Sequence, residues 1–571
     1  MNDRFDLTIR ISGEAGQGIQ TISDLLSLVL NRLGYYIIVT SSVESRIRGG
    51  HSFFTFRITD FKTFASRSNF QVLIALSQFS LDFNSKLIDP NGIVIFDSTQ
   101  LKYNGSNGIG YPIKDLIKKE NLPAIVENSV SAGIIFGLLH GDLAELKDLI
   151  YKSIKKMKDE NWKAIELGYK AVTPEFSSKF KLHLKRVGPP KLKITGNDAI
   201  ALGAIAAGVG FYNGYPMTPS TGILEYLIKK SDELPIAVIQ AESEDAAINM
   251  ACGAAFTGAR TMVGTSGGGF CLMVEGLGWA AMSETPLVMV LVSRPGPSTG
   301  MPTRTEQSDL HFAINASHGE FPRFVFAPCH PQDAFYLMER AFNLADKYQV
   351  PVIILSDKYL GMSNYSIDNL DASNFKIIRP KRPTQEELKE GYKRYKITED
   401  GISPLLWPAE TEHLVHVSGD EHDEQTWYAE DGEVRTKMAN KRFAKLKYME
   451  QEMKGPEVYG KLPADYVFVT WGSSYYPCVE ASDELKTEGY SIAVLGFRDI
   501  LPFPKSHFLD TIEKCGSKAK FIAIEQNVTG QLAELISAKT CFEIPYKILK
   551  YDGREFTVDY IVNRFKKEVA E

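Results

Sequence analysis

The chain of 571 residues is 44 % hydrophobic and carries 64 Lys and Arg against 70 Asp and Glu, a net charge of −6. At roughly 150 residues per domain this length predicts about three or four cores, and the mild acidity gives no electrostatic footprint for nucleic acid. The six cysteines, Cys252, Cys271, Cys329, Cys478, Cys515 and Cys541, form no Cys-x-x-Cys pair that could hold zinc or an iron–sulfur cluster, so reduced, buried thiols are expected.

From the N-terminus, DLTIRISGEAGQGIQTISDLLSLVLNRLG predicts strand, glycine turn and helix, because Leu7, Ile9 and Ile11 alternate before Ile22, Leu25, Leu26 and Val29 take helical spacing. YYIIVTSS, SFFTFRIT, FQVLIALS and GIVIFDS follow as strands, with helical stretches near IIFGLLHGDLAELKDLIYKSIKKM, giving an α/β domain over residues 1–188. The Pro-bearing KFKLHLKRVGPPKLK (179–193) reads as a linker. Residues 194–365 predict a second α/β domain, in which a small-residue helix and a short strand lead to GYPMTP. LPIAVIQ, TMVGTS, PLVMVLVS, RFVFA and PVIILS then come as continuous apolar runs, as strands buried on both faces do. Residues 366–462 turn polar and charged, a connecting region suited to wrapping a neighbour. Strand–helix alternation resumes in residues 463–571, a third and smaller α/β domain. With no apolar signal-peptide core and no run near the ~18 residues of a membrane span, a cytoplasmic protein is expected.

Among candidate sites, Gly13, Gly16 and Gly18 are ordered G-x-x-G-x-G rather than G-x-G-x-x-G, and the next strand ends in Thr40, Ser41 and Ser42 with no acid for a ribose. That disfavours NAD and leaves either a phosphate cradle or a structural turn. ESRIRGGHS adds Arg46 and Arg48, for an anion or a partner subunit. The sharper signal is GYPMTPSTGILE (214–225). Pro216 and Pro219 fix their own φ and bias the residues before them to extended geometry, holding the Thr218 hydroxyl at a strand end, where α/β sheets bind ligands. The alternative is an ordinary loop with Ser220 capping the helix behind it. Downstream, IQAESEDAAINMACGAAFTGARTMVGTSGGGF runs an apolar strand into Glu242 and Glu244. Acids at a helix start are commonly dipole partners. Glu244, however, precedes Ala246, Ala247, Ala251, Gly253 and Ala254, a close-packing surface that would raise a carboxyl pKa, as proton handling requires. His422 among Asp420, Glu421, Asp423 and Glu424 is either a metal site or a solvated loop, and His311 and His330 read as packing or surface residues.

Taken together the motifs resemble one family, the 2-oxoacid:ferredoxin oxidoreductases, and within it the large subunit in which γ and α parts are fused. The likeness covers nearly the whole chain: GEAGQG, RGGHS, GNDAIALGAIAAGVGFYNGYPMTPSTGILE, the ESEDAAINM segment, SRPGPSTGMPTRTEQSDL, GDEHDE, GFRDILPFP and EQNVTGQL. YPMTP departs from the family's YPITP only by Met217, of similar bulk. The resemblance implies a γ-type domain, a pyrimidine-binding thiamine diphosphate domain and a transketolase C-terminal-like domain. It implies that Glu244 hydrogen-bonds the aminopyrimidine N1′ of thiamine diphosphate and that Tyr215, Pro216, Met217, Thr218 and Pro219 form the turn beside cofactor and substrate. Arg304 would pair with the 2-oxoacid carboxylate, a planar anion that suits a guanidinium fork, with Thr303 from the same loop and Arg294 as a second candidate. No Gly-Asp-Gly segment is present for a Mg²⁺-bound pyrophosphate. A separate β subunit is therefore implied, bringing Mg²⁺, the pyrophosphate grip and a [4Fe-4S] cluster, in a heterodimer or a dimer of heterodimers. CoA would be co-substrate and ferredoxin the electron acceptor in oxidative decarboxylation of a 2-oxoacid to acyl-CoA and CO₂. A subunit of an indolepyruvate or oxalate oxidoreductase, or a non-catalytic scaffold, are the alternatives.

Overall fold

A computed structural model describes residues 4–15, 19–44, 49–154, 156–178 and 182–570. Among them the chain forms three sheets and two units: Met1–Ile194 with Ser363–Asn369 and Thr557–Tyr560, and Thr195–Met362 with Leu370–Phe556 and Ile561–Glu571.

In the first unit the strands lie in the order Gly108–Tyr111, Ile93–Asp97, Val72–Ala75, Asp6–Ala15, Gly49–Thr59, Tyr36–Ser42, Asn364–Ile367, Leu192–Ile194. The first four run parallel, whereas Gly49–Thr59 is antiparallel to both neighbours, with Ile9 opposite Phe56 and Ile38 opposite Arg57. The alternating Leu7, Ile9 and Ile11 bury against Ile22, Leu26 and Val29 of the helix Ile19–Arg32, as their spacings predict. The helical stretches expected near residues 134–157 are Glu127–Leu138 and Leu143–Ser153, separated because the Asp142 carboxylate accepts the amides of Ala144 and Glu145 and starts the second afresh. The stretch read as a linker is pinned where described: the amides of Leu184, Val187 and Lys191 donate to the carbonyls of Leu139, Leu33 and Asn31. Gly13 lies in the first strand, but Gly16, Gly18, Arg46 and Arg48 fall outside the described residues.

In the second unit one sheet runs Asp499–Leu501, Phe324–Phe326, Pro351–Asp357, Leu287–Ser293, Thr261–Thr265, Phe211–Gly214, Ala237–Gln240, all parallel except the first. Leu287–Ser293 and Pro351–Asp357 are buried at every position, the outcome expected of continuous apolar runs in a parallel sheet. LPIAVIQ departs from that expectation: Ala237–Gln240 is the edge strand, and Ile239 is 40 % exposed. The other sheet, in the order Glu457–Tyr459, Ile492–Phe497, Tyr466–Trp471, Lys520–Glu525, Tyr546–Leu549, shares one apolar cluster with it, running from Val263, Leu291 and Ile353 to Trp471, Leu495 and Phe497.

The polar connecting region wraps this second unit of its own chain. Buried Arg260 donates to Asp346, to the Ala207 carbonyl and to the Ile378 carbonyl, Arg379 donates to Asp346 and the Gly258 carbonyl, and the Trp407 ring sits where a Cβ on Gly258 would be. Among the described residues no helix is long and apolar enough to cross a membrane. The cysteines are free; Cys271 and Cys541 are exposed, not buried as expected.

Candidate active site

The YPMTP turn leaves the carboxyl end of Phe211–Gly214 and is fixed at three successive carbonyls. The Ser220 amide and hydroxyl both donate to the Met217 carbonyl at 2.8 Å, Arg294 donates to that of Thr218 at 2.6 Å, and Asn197, 2 % exposed, donates to that of Pro219 at 2.8 Å. The Ser220 hydroxyl is thus used inside the turn, and the helix cap considered for it does not form. Tyr215 stays exposed while Met217 and Thr218 are half-buried, so the turn presents side chains without freedom to rearrange its backbone.

Glu244 opens the helix Glu244–Phe256, which Ser243 caps by accepting the Ala246 amide. Its side chain is 3 % exposed, whereas Glu242 lies at the surface. Burial raises the Glu244 pKa; its own amide opposes the rise and Asp245 adds to it. Its Oε1 is sealed from solvent and has no hydrogen-bond partner. An unmatched buried oxygen costs about 1–3 kcal/mol, so the structure holds here an acceptor, or when protonated a donor, prepared for a group the chain does not itself supply. The packing expected around Glu244 is narrower than the sequence implied: Ala247, Ile248, Ala251 and Cys252 are buried, but Gly253 faces open space.

The carboxyl is walled by a glycine helix, Gly267–Met282. A Cβ on Gly269 would collide with the Glu244 carboxylate and the Thr265 hydroxyl, and Gly268 faces the Met217 sulfur and the Ser298 carbonyl. The Thr265 hydroxyl lies 4.0 Å from that sulfur. Glu244, Thr265, Met217 and the helix N-terminus therefore converge.

Beside them Asp309 packs against Gly267. Its Oδ2 is sealed from solvent, and burial pushes its pKa up to about 6 against the pull of Ser293 and Arg294. Burial in turn lowers the Arg294 pKa, which Asp309 counteracts. Arg294 thus holds the Thr218 carbonyl while lying in the field of Asp309. Thr303 and Arg304, both half-buried, sit on a loop anchored separately: the Arg304 amide donates to the Met301 carbonyl at 3.0 Å, the Thr305 amide to that of Gly553 at 3.2 Å, and the Thr305 hydroxyl to Asp357 at 3.3 Å.

Sequence reasoning missed Asn197, Thr265, Gly269 and Asp309. The available signal was Thr265 closing an apolar strand one residue before three successive glycines. In the GDEHDE patch both glutamates face cations: Glu421 pairs with Arg435 and Arg442, and Glu424 with Lys393. His422 is fully buried, its Nδ1 2.7 Å from the Asp420 carbonyl and its ring centroid 3.9 Å from that of Tyr395. Among the described residues no three His, Cys, Asp or Glu side chains are grouped to hold a metal ion. His330 caps the helix Pro331–Tyr348, and His311 bonds the Gln531 carbonyl.

Family models described as "Pyruvate flavodoxin/ferredoxin oxidoreductase, thiamine diP-bdg", "Pyruvate ferredoxin/flavodoxin oxidoreductase" and "Pyruvate:ferredoxin oxidoreductase core domain II" match residues 202–441, 8–171 and 464–561. The 2-oxoacid:ferredoxin oxidoreductase subunit alpha of Saccharolobus solfataricus is 34 % identical over 98 % of this chain and 97 % of its own. The 2-oxoglutarate synthase subunit KorA of Methanocaldococcus jannaschii is 33 % identical over 59 % of this chain and 88 % of its own. A solved 2-oxoglutarate:ferredoxin oxidoreductase from Magnetococcus marinus, with 2-oxoglutarate, coenzyme A and succinyl-CoA bound, matches with a TM-score of 0.90 at 31 % identity, over 98 % of this chain and 99 % of that one.

Proposed function

The chain belongs to the 2-oxoacid:ferredoxin oxidoreductase family as an alpha-type subunit with fused γ and α parts, and from that premise we propose that it is one half of an enzyme converting a 2-oxoacid, CoA and oxidised ferredoxin into acyl-CoA, CO₂ and reduced ferredoxin. The observation that carries the reading is the buried Glu244 carboxyl with an orphaned Oε1 beside Gly269 and the YPMTP turn. Those residues fit the aminopyrimidine end of thiamine diphosphate: a carboxyl of raised pKa exchanges a proton with a ring nitrogen, and Met217 and Thr265 offer an adjoining wall. When bound, the coenzyme supplies the electron sink that lets a carboxylate leave as CO₂. Of the chain's own groups, Glu244 holds the proton, Thr218 faces the substrate from a turn that Arg294 braces, and Arg304 with Thr303 takes the substrate carboxylate. The Magnetococcus structure makes 2-oxoglutarate the first substrate to test.

A β-type partner would hold Mg²⁺, the pyrophosphate and a [4Fe-4S] cluster, since this sequence has neither a Gly-Asp-Gly segment nor clustered cysteines. Ile239, Met250 and Leu272, 40–57 % exposed on the edge strand and the two helices that flank Glu244, give such a partner an apolar surface. Glu244→Gln in the co-purified complex should lower 2-oxoacid-dependent dye reduction about 100-fold or more while subunit assembly is retained. An unchanged rate would favour the scaffold reading, and parallel assays with pyruvate, aryl-pyruvates and oxalate separate the narrower relatives.

A further inference from the structure

On another face of the second unit, the helix Leu310–Asn315, the loop that follows it and the helix Gln531–Thr540 enclose a groove of about 530 Å³. Its wall contains Arg323, 5 % exposed. Of the other buried arginines of the unit, Arg260 pairs with Asp346 and Arg442 with Glu421, while Arg394 donates to carbonyls within the field of the Glu284 carboxylate. Arg323 has no ion pair among the described residues, and burial alone pulls its pKa down to about 10. Its Nη1 donates to the carbonyls of Ala313 (3.3 Å) and Ala316 (2.8 Å), at the end of Leu310–Asn315, and the guanidinium lies 4.1 Å from the Phe321 ring centroid. Those bonds use one nitrogen of a fork that carries five N–H groups. Capping a helix end with a cation is a small gain, whereas an unpaired buried cation is a large cost, so capping alone does not account for a guanidinium here.

We propose that this groove binds a small amphipathic carboxylate, its head on Arg323 and its apolar chain along Ile314, Phe321, Phe443 and Leu535. A single negative charge matches the site. One buried guanidinium offers one charge, with Lys539 as the other cation at the rim, and two rim acids, Glu320 and Glu534, oppose a dianion; Glu534 is already 3.6 Å from His311. The inference does not depend on the reading of Glu244.

The test is calorimetric titration of the full chain, co-purified with its partner, using octanoate as probe and octanol and octyltrimethylammonium as controls. Octanoate should bind saturably at one site, about tenfold or more weaker in Arg323→Gln. It should not bind Ala538→Trp, which fills the groove without touching the arginine. Arg323→Lys should recover part of the affinity, and the urea midpoint of Ala538→Trp should match that of the parent. The proposal is overturned if octanoate shows no saturable heat, if octanol or the ammonium binds equally well, or if both Arg323→Gln and Ala538→Trp bind as the parent does. Should Arg323→Gln not fold, Ala538→Trp alone decides between the outcomes.

Discussion

Asp309, with its pKa pushed up to about 6 by burial, ties the candidate site to stability. In the unfolded chain an aspartate releases its proton near ~3.9, so between about pH 4 and 6 the native state binds the extra proton. Stability therefore falls as pH rises through that window, and the loss, about 3 kcal/mol, is complete above it. Asp309→Asn should abolish the dependence: urea midpoints measured at pH 4.5 and pH 7 should converge relative to the parent. An equal parent-minus-variant difference at both pH values would falsify the raised pKa. Glu244 is shifted in the same direction by burial, so Glu244→Gln should stabilise the isolated chain at neutral pH while removing activity, the usual opposition of function and stability. The two acids differ in legibility. Glu244 announces itself because strand, acid and small-residue helix are contiguous, whereas Asp309 acquires its partners Gly267, Ser293 and Arg294 from segments that only folding brings together.

At the scale of elements, the glycine helix is held at both ends. Its N-terminus abuts Glu244; just past its other end Glu284, 1 % exposed, bonds Lys441 and Lys445, and Arg394 donates to the Ser283 and Glu284 carbonyls at 3.2 and 2.8 Å. These cations all come from the connecting region, whose polar composition suits a segment that wraps a neighbour. Charge pairs 157 and 161 residues apart leave no local periodicity, which is why the sequence suggests a wrapping segment without showing what it wraps. Glu284→Gln leaves two ammonium groups buried with reduced compensation, and urea unfolding should show a loss of about 3–5 kcal/mol. Replacing Glu284 by Leu and both lysines by Met should recover most of it; failure to recover would mean that the helix end needs the charges for more than mutual neutralisation. The edge strand Ala237–Gln240 is the converse case. Its apolar run correctly predicts a strand, but composition alone does not say whether this chain or another covers it.

Across the second unit, the loop that carries Thr303 and Arg304 is anchored by the C-terminal sheet. Gln307, 1 % exposed, donates to the Trp471 carbonyl at 3.2 Å and accepts from the Ser474 hydroxyl at 2.8 Å, while its amide donates to the Gln526 carbonyl at 2.7 Å. Glu525 beside it accepts from Trp471, Asn527, Leu532 and Ala533, and Asp357 receives Ser473 and Thr305. The strand–helix alternation of residues 463–571 was legible, and so was the EQN motif; that the motif's neighbours would hold a loop more than 200 residues earlier was not, since hydrogen bonds across |i−j| of 219 and 220 leave no trace in periodicity. Gln307→Ala removes the side chain that joins Trp471 and Ser474, leaving buried groups unmatched at about 1–3 kcal/mol each. If Arg304 receives the substrate carboxylate, loosening its anchored loop should raise KM for the 2-oxoacid about tenfold with a smaller change in kcat, because ground-state positioning is what is lost. Steady-state kinetics of the complex at a temperature well below unfolding make the distinction: lowered stability with an unaltered KM would assign the network to folding alone and separate Arg304 from the substrate.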